Sequence, residues 1–238
     1  MKFLEILKRA NIQHGPDHRW TEWEHSDLND APLLKMVIQE VIEDQVLRDD
    51  IIHWHGYDYS EMCHCCGSGV KLKDTLCLDK EVFARMAKRQ KRYRYQIALS
   101  SDWHEVVQGT FKEMVERAGL TGVRCLPTRD YLGRDAKFPP VYQLEFTNVM
   151  PPALMNSDTR KCPECGRTSF GTAPFHYSKK SFADAQVCDF NWSNEWSMGT
   201  LSPELEGRAI IVKNSVYRLC HENGIGRNQI AWDVVQVD

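Results

Sequence analysis

Two short cysteine motifs are the part of this sequence best suited to chemistry. Residues 61–69 read EMCHCCGSG and residues 161–167 read KCPECGR, so both contain the pattern Cys-x-x-Cys-Gly. Two residues between the cysteines let both sulfurs of a tight turn reach the same metal ion, and the glycine accepts the left-handed backbone that closes the turn. Two such turns supply the four thiolates of a tetrahedral zinc site. The predicted ligands of one Zn²⁺ ion are Cys63, Cys66, Cys162 and Cys165.

The same cysteines have other possible uses. A site with four protein ligands leaves no position for water or substrate, so a structural ion is expected and not a catalytic one. A redox pair lies where a strand leads into a helix, and neither motif is followed by a helix start. A redox pair, and turns that have lost their metal, remain the alternatives to a zinc site. In the first motif His64 or Cys65 could replace a neighbouring ligand, but adjacent side chains in a turn point apart, so Cys65 is taken as a spare thiol.

Histidines just before the first motif raise the question of an enzyme. His53 and His55 would lie on one face of a strand and could form a catalytic metal site with Asp58 or Glu61. Two histidines at this spacing are weak support for a site. The sequence has no His-Glu-x-x-His motif, no phosphate-binding glycine loop and no Gly-x-Ser-x-Gly motif. We therefore expect structural histidines and a protein that is not an enzyme.

The composition is that of an ordinary globular protein. At 238 residues the chain is long enough to bury a core, so a metal need not supply all of its stability. A net charge of −3 gives no overall attraction to nucleic acid or to anionic membranes. No run approaches the ~18 apolar residues of a membrane span, and the first residues lack the pattern of a secretory signal. A cytoplasmic protein with no membrane partner is expected. Its isolated cysteines should be reduced packing residues: Cys77, Cys125, Cys188 and Cys220.

Periodicity along the chain predicts an α+β fold with packed helices and mixed sheets. Apolar residues recur at helical spacing in residues 31–49, where Asp30 is the expected N-cap of a long helix. Residues 51–57 and 92–99 are expected to form strands, and residues 82–90 a helix.

A duplicated strand-helix-strand unit is predicted in the later part of the chain. Residues 107–120 align with residues 212–225, with hydroxyl N-caps at Thr110 and Ser215 and a glycine at each helix end. Thr110 and Glu113 also match a capping box. Chance similarity between two ordinary elements is the alternative, because the aligned stretch is short. The predicted units span residues 105–127 and 208–236.

The chain contains two Cys-x-x-Cys-Gly motifs about a hundred residues apart, and its C-terminal part reads RAIIVKNSVYRLCHENGIGRNQIAWDVVQVD. In these features it resembles the myxobacterial-type double-CXXCG motif proteins. The resemblance covers residues 51–238, which we take as the zinc-binding domain, and leaves residues 1–50 as an acidic, helical N-terminal segment. It implies that the four motif cysteines bind zinc. Because some members are regarded as immunity proteins for polymorphic toxins, it also implies that this protein binds and occludes another protein, a cognate toxin.

Charge distribution offers separate support for a protein partner. Residues 21–50 contain nine acidic residues against Lys35 and Arg48, a net charge of −7. Such a surface could mimic a polyanion and cover the basic cleft of a toxin, although a solvated helix face is the simpler interpretation. Four tryptophans could anchor a partner or lie in a core: Trp20, Trp23, Trp192 and Trp196.

A basic segment supports the alternative function, nucleic-acid binding. Residues 80–94 contain seven basic residues against Glu81 alone. Basic side chains interleaved with Tyr93 and Tyr95 could contact phosphates and stack on bases. The alternation of residues 92–99 is more simply that of a strand with one solvated face.

Overall fold

The computed structural model describes residues 23–42, 57–73, 75–100, 104–130, 139–154, 159–170, 174–183, 185–197 and 207–238. Its helices are α1 (His25–Asp30), α2 (Lys80–Gln90), α3 (Gly109–Arg117), α4 (Lys179–Ala183) and α5 (Asn214–Glu222). Its strands are β1 (Leu33–Ile38), β2 (Val41–Ile42), β3 (Tyr57–Asp58), β4 (Lys71–Leu72), β5 (Cys77–Leu78), β6 (Ile97–Ser100), β7 (Glu105–Gln108), β8 (Val123–Pro127), β9 (Arg129–Asp130), β10 (Val141–Phe146), β11 (Arg160–Lys161), β12 (Thr168–Phe170), β13 (His176–Tyr177), β14 (Phe190–Ser197), β15 (Arg208–Lys213), β16 (Ile230–Val234) and β17 (Gln236–Val237). The predicted α+β class is confirmed.

Two large sheets organise the described residues. The six-stranded sheet has the order β11-β12-β14-β15-β1-β16, and the five-stranded sheet has the order β2-β6-β7-β10-β8. The largest core cluster contains side chains from both sheets and from α1, α3 and α5. A second cluster packs α2 against the other face of the five-stranded sheet, and a third covers the other face of the six-stranded sheet. None of the described helices is both long enough and apolar enough to cross a lipid bilayer.

The two predicted strand-helix-strand units are present and share one topology. Strands β7 and β8 lie on either side of β10, and β15 and β16 lie on either side of β1, with antiparallel pairing throughout. The registers correspond, because Val141 pairs with Gln108 where Leu33 pairs with Lys213. In both units the helix begins directly after the first strand and is followed by a glycine of positive φ, Gly119 at 64° or Gly224 at 72°.

The second unit takes its central strand from a distant part of the chain, whereas the first takes a strand that follows it in sequence. Strand β1 precedes the first cysteine motif, yet it lies inside the second unit, whereas β10 precedes the second motif and lies inside the first unit. The sheets also match beyond the units, because β2 pairs in parallel with β6 as β12 does with β14. Residues 33–42 therefore contribute strands to both sheets. The domain boundary at residue 50 remains a prediction.

The helix predicted for residues 31–49 is wrong over the part that the structure describes. Residues 33–38 form β1, residues 41–42 form β2, and Asp30 ends α1 and caps no following helix. A short apolar run fits helical and strand periodicity equally well, and here pairing on both sides of β1 decides the outcome. Residues 43–49 lie outside the described residues.

Of the other local predictions, one is confirmed and the others are corrected or lie outside the described residues. The helix at residues 82–90 is confirmed as α2, and the Asp79 side chain caps it by accepting a hydrogen bond from the Glu81 amide. The strand predicted at residues 92–99 begins at Ile97. The hydroxyl N-caps and the capping box are wrong, because the strands run straight into α3 and α5 and the caps are Gln108 and Lys213. Strand 51–57 falls mostly outside the described residues.

Asp189 connects the two units. Its carboxylate accepts hydrogen bonds from the Thr121 amide (2.9 Å), the Thr121 hydroxyl (2.7 Å) and the Ser215 hydroxyl (2.7 Å). Thr121 follows the first unit's helix, and Ser215 lies in the first turn of α5. Burial opposes ionisation of this carboxyl, but the hydrogen bonds and nearby Lys213 outweigh burial and lower its pKa. The contact therefore depends on a negative charge.

We expect Asp189→Asn to lower the free energy of unfolding at neutral pH by about 1–2 kcal/mol, because charge-assisted hydrogen bonds are lost. The lowered folded-state pKa means that this stability is present above the unfolded-state pKa of about 3.9 and is lost as the pH falls through the folded-state value. The difference between wild type and variant in urea unfolding should therefore be constant above about pH 5 and shrink as the pH falls from there through the folded-state pKa. A matched control is Asp233→Asn, whose carboxylate makes a single, partly exposed contact with Lys35 at 3.9 Å. A pH-independent difference at residue 189 would contradict the role of its charge.

Candidate metal centre

The structure brings the four predicted cysteines together. Their sulfur atoms all lie within 4.8 Å of one another, and none of the four is in a disulfide. The two contacts between turns, from Cys63 to Cys162 and from Cys66 to Cys165, are both 3.7 Å between sulfurs. A regular tetrahedron with metal–sulfur bonds of about 2.3 Å has edges of about 3.8 Å. The four thiols thus have the spacing of a tetrahedral metal site, and their assignment as ligands remains a prediction.

The two cysteine turns have the same backbone. The first turn (residues 63–66) joins β3 to β4, and the second turn (residues 162–165) joins β11 to β12. In each turn the following glycine donates to the carbonyl of the first cysteine, at 2.7 Å for Gly67 and 3.0 Å for Gly166. Both glycines have φ of 70°, a left-handed conformation that a residue with a Cβ rarely adopts. Identical turns present their thiols in the same way, which suits a shared ion.

Arg167 holds the two turns against each other. Its guanidinium donates to the Ser68 carbonyl at 2.7 Å and to the Ser68 hydroxyl at 3.2 Å. It also lies 5.3 Å from the ring centroid of Trp196, and Arg208 contacts the same ring at 4.3 Å. Glu164 also contacts the first turn, where its carboxylate accepts a hydrogen bond from the Cys65 amide at 3.2 Å. The second turn therefore contacts the first through side chains as well as through the cysteines.

Local hydrogen bonds favour the ionised form of part of the cluster. Partial burial opposes ionisation of Cys66, but hydrogen bonds from the Ser68 hydroxyl and amide outweigh it and lower the pKa of that thiol. Backbone amides of the second turn, that of Cys165 foremost, lower the pKa of Cys162. Burial raises the pKa of Cys165 to about 11. Four thiolates at this spacing repel one another, so full ionisation requires a cation between them.

The remaining thiols stand apart from this group. Cys65 is exposed, and its hydrogen bond with the Cys162 thiol raises its pKa to about 11. His64 is exposed as well. Burial raises the pKa of Cys220 to about 12, in keeping with the predicted packing role, and Cys125 is half-buried with a pKa raised to about 11. Cys77 and Cys188 are also half-buried.

The residues considered for an enzyme do not form a second cluster where the structure describes them. His53 and His55 lie outside the described residues. Asp58 accepts a hydrogen bond from the Ser60 amide, and Glu61 forms an exposed ion pair with Lys71. Within the described ranges, no further group of three or more histidine, cysteine or acidic side chains has metal-binding spacing.

The candidate nucleic-acid segment is only partly available for binding. Its cations at the end of α2 and beyond are exposed: Lys88, Lys91, Arg92 and Arg94. Tyr95 is buried in the main core, and the Tyr93 hydroxyl contacts the Asn228 amide at 3.0 Å. Burial removes Tyr95 as a platform for base stacking.

The tryptophans considered as partner anchors are mostly internal. Trp192 and Trp196 are buried, Trp23 is half-buried against the main core, and Trp20 lies outside the described residues. Arg167 directly follows the second motif glycine, and its bonds to Ser68 and its contact with Trp196 were not predicted from the sequence. Nothing in the local sequence signals these contacts, because their partners are distant in the chain.

Comparison with known proteins gives no independent identification. No family model matches the chain, and no curated protein matches it. The residues and their geometry therefore carry the functional argument.

We expect Arg167→Gln to lower the free energy of unfolding of the metal-loaded protein by about 2 kcal/mol, because the Ser68 carbonyl loses a charged donor and Trp196 loses a cation. Arg160→Gln is the matched control, since Arg160 is an exposed arginine in the same hairpin. It should change stability by less than about 0.5 kcal/mol. Chemical denaturation measures both changes, and equal effects would show that Arg167 contributes no more than a surface charge.

Proposed function

We propose that Cys63, Cys66, Cys162 and Cys165 bind one zinc ion that has a structural role. Thiolates are soft ligands, and a tetrahedral set of four is typical of Zn²⁺ or of iron–sulfur proteins. A zinc ion would neutralise part of the charge of the four thiolates and stabilise their ionised forms. Four protein ligands leave no open position for substrate, which supports a structural role.

The proposed ion would join parts of the chain that are far apart in sequence. The cysteines paired across the site are separated by 99 positions. The first turn belongs to the hairpin β3-β4, whereas the second belongs to a hairpin at the edge of the six-stranded sheet. A shared ion would fix these hairpins relative to each other and so support the surface around them.

We further propose that this metal-stabilised protein is not an enzyme and acts in the cytoplasm as an immunity protein, which binds a cognate toxin and blocks it by occlusion. The observation that carries the proposal is the closed four-cysteine site, because it provides rigidity without a reactive position. The resemblance to double-CXXCG proteins supplies the functional class. Exposed acidic side chains at Glu24, Asp27 and Asp30 offer a surface complementary to a basic cleft.

We expect Cys162→Ala to reduce bound zinc from one equivalent to less than about a tenth and to destabilise the protein by several kcal/mol, because metal binding at a structural site is coupled to folding. Inductively coupled plasma mass spectrometry measures the metal, and urea unfolding measures the stability. Cys77→Ala, at a half-buried thiol outside the cluster, is the control and should retain the metal. Full retention of zinc and stability by Cys162→Ala would contradict the structural site. Iron in place of zinc in the wild type would show that the site binds a different metal.

The proposed partner is tested by affinity purification of the tagged protein, with mass spectrometry and the ratio of absorbance at 260 and 280 nm as readouts. We expect a stoichiometric protein partner to co-purify with the wild type. The amount of partner recovered should fall about tenfold with Asp27→Lys/Asp30→Lys and stay unchanged with Lys88→Glu/Lys91→Glu, because complementary charge governs encounter with a basic cleft. The reverse pattern, with salt-sensitive nucleic acid and no protein, would overturn the immunity proposal and favour nucleic-acid binding through α2.

A further inference from the structure

A cavity of about 640 Å³ lies where α4, the start of α5 and strand β17 come together. We propose that it is a binding site for a small carboxylate with an apolar body, such as a medium-chain fatty acid, whose charge is held by Lys179 and Lys213. The cavity shares no residue with the proposed metal site or with the acidic surface of α1, so it is a separate site.

The two halves of the chain match over more than the strand-helix-strand units. The offset of 99 positions between the paired cysteines also relates β5 to β13 and the first residue of α2 to the first residue of α4. Strand β5 pairs in parallel with β9, as β13 does with β17. Helix α4 is therefore the counterpart of α2, but it has five residues where α2 has eleven.

In the first half of the chain, α2 fills the space over the ends of the strands. Met86 belongs to the same buried cluster as Val141, which lies at the start of β10. The buried Gln108 side chain at the end of β7 donates a hydrogen bond to the Met86 carbonyl. Side chains of the protein itself thus occupy this region and satisfy its polar group.

In the second half, the corresponding space is open. Leu33 and Lys213 pair in the register that the first unit has at the same place, and both line the cavity. Ala185, which is 99 positions after Met86, also lines the cavity and lies beyond the end of α4. A shorter helix and a smaller side chain therefore leave a space that the first half closes.

Most of the cavity wall is apolar. Leu33 is buried in the third core cluster, and Val187 and Val237 pack against that cluster. Pro32 and Ala185 extend the apolar wall. The volume lies within the range of small-molecule sites, about 300–1,000 Å³, and an apolar chain placed here would shield the wall from water.

Two lysines supply a positive charge at this apolar wall. Lys213 is half-buried and stands where the first half has a neutral glutamine, and Lys179 is the exposed first residue of α4. Among the described residues, neither ammonium group forms an ion pair. The carboxylate of Asp189 is taken by the hydrogen bonds described above, and that of Asp238 lies 2.6 Å from the His176 ring. An anionic ligand would give the two ammonium groups a partner.

Charge and wall together favour a carboxylate with an apolar body. A ligand that carries only a charge would leave the apolar wall in contact with water. A neutral apolar ligand would cover the ammonium groups without offering them an acceptor, which is costly. A carboxylate at one end of an apolar chain avoids both costs, because it accepts charge-assisted hydrogen bonds from the lysines while the chain covers the wall.

Isothermal titration calorimetry of the full chain with decanoate, at concentrations where decanoate forms no micelles, tests the site. We expect one equivalent to bind. Acetate, which has the charge without the chain, and decanol, which has the chain without the charge, should each bind at least about tenfold more weakly. Absence of saturable decanoate binding would overturn the proposal, as would equal affinity for acetate or for decanol.

Variants locate the binding. Lys179→Gln/Lys213→Gln should weaken decanoate binding about tenfold, because the charged donors are lost. Ala185→Met, which places the first half's side chain in the cavity, should weaken binding to a similar extent. Lys180→Gln is the control, since Lys180 is an exposed lysine of the same helix outside the cavity wall, and it should bind as wild type does.

Urea unfolding shows whether each variant is folded. If the double variant is unfolded, the single variant Lys179→Gln decides, because its side chain is exposed and its loss leaves the core intact. Wild-type affinity in the folded lysine variant would overturn the proposal, because decanoate would then bind elsewhere. An equal loss of affinity in Lys180→Gln would also overturn it, since a general surface charge would explain the binding.

Discussion

The placement of β1 between β15 and β16, two strands far later in the chain, is the constraint on which the rest of the structure depends. Strand β1 is hydrogen-bonded on both edges, to β15 and β16, and β10 is held in the same way between β7 and β8. Each of these two strands is followed by the segment that carries a cysteine turn. The pairing of β1 with β15 and β16, and of β10 with β7 and β8, therefore determines where the two turns can lie, and the second unit cannot be completed by a continuous stretch of chain.

The cysteine cluster adds a local link to this long-range arrangement. Identical turns, closed by Gly67 and Gly166, present four thiols at tetrahedral spacing. Arg167 strengthens the contact, because one guanidinium bonds the backbone of the first turn and lies near Trp196 of β14. The cluster is thus connected to the six-stranded sheet as well as to the opposite hairpin.

The functional proposals follow from what the cluster offers and from the surface around it. A metal ion bound by the four cysteines would supply rigidity, which would suit the proposed role of presenting a fixed surface to a partner. The surface has acidic side chains on α1 and exposed cations at the end of α2, and these two regions separate the toxin-binding proposal from the nucleic-acid alternative.

The sequence alone determined the features that depend on neighbouring residues. The spacing of Cys63 and Cys66, repeated in Cys162 and Cys165, together with the glycine after each pair, defines both turns. Helix α2 and the two strand-helix-strand units were likewise predictable, because apolar periodicity and a terminal glycine are local signals. The same signals failed at residues 33–42, where the pattern suits a helix and a strand equally. Tertiary structure decided what depends on distant partners: β1 is a strand because two other strands bond to it, Tyr95 is buried because a core surrounds it, and Cys63 lies beside Cys162 because two hairpins meet. Such contacts join residues many positions apart, and their energies have no counterpart in any short stretch of sequence.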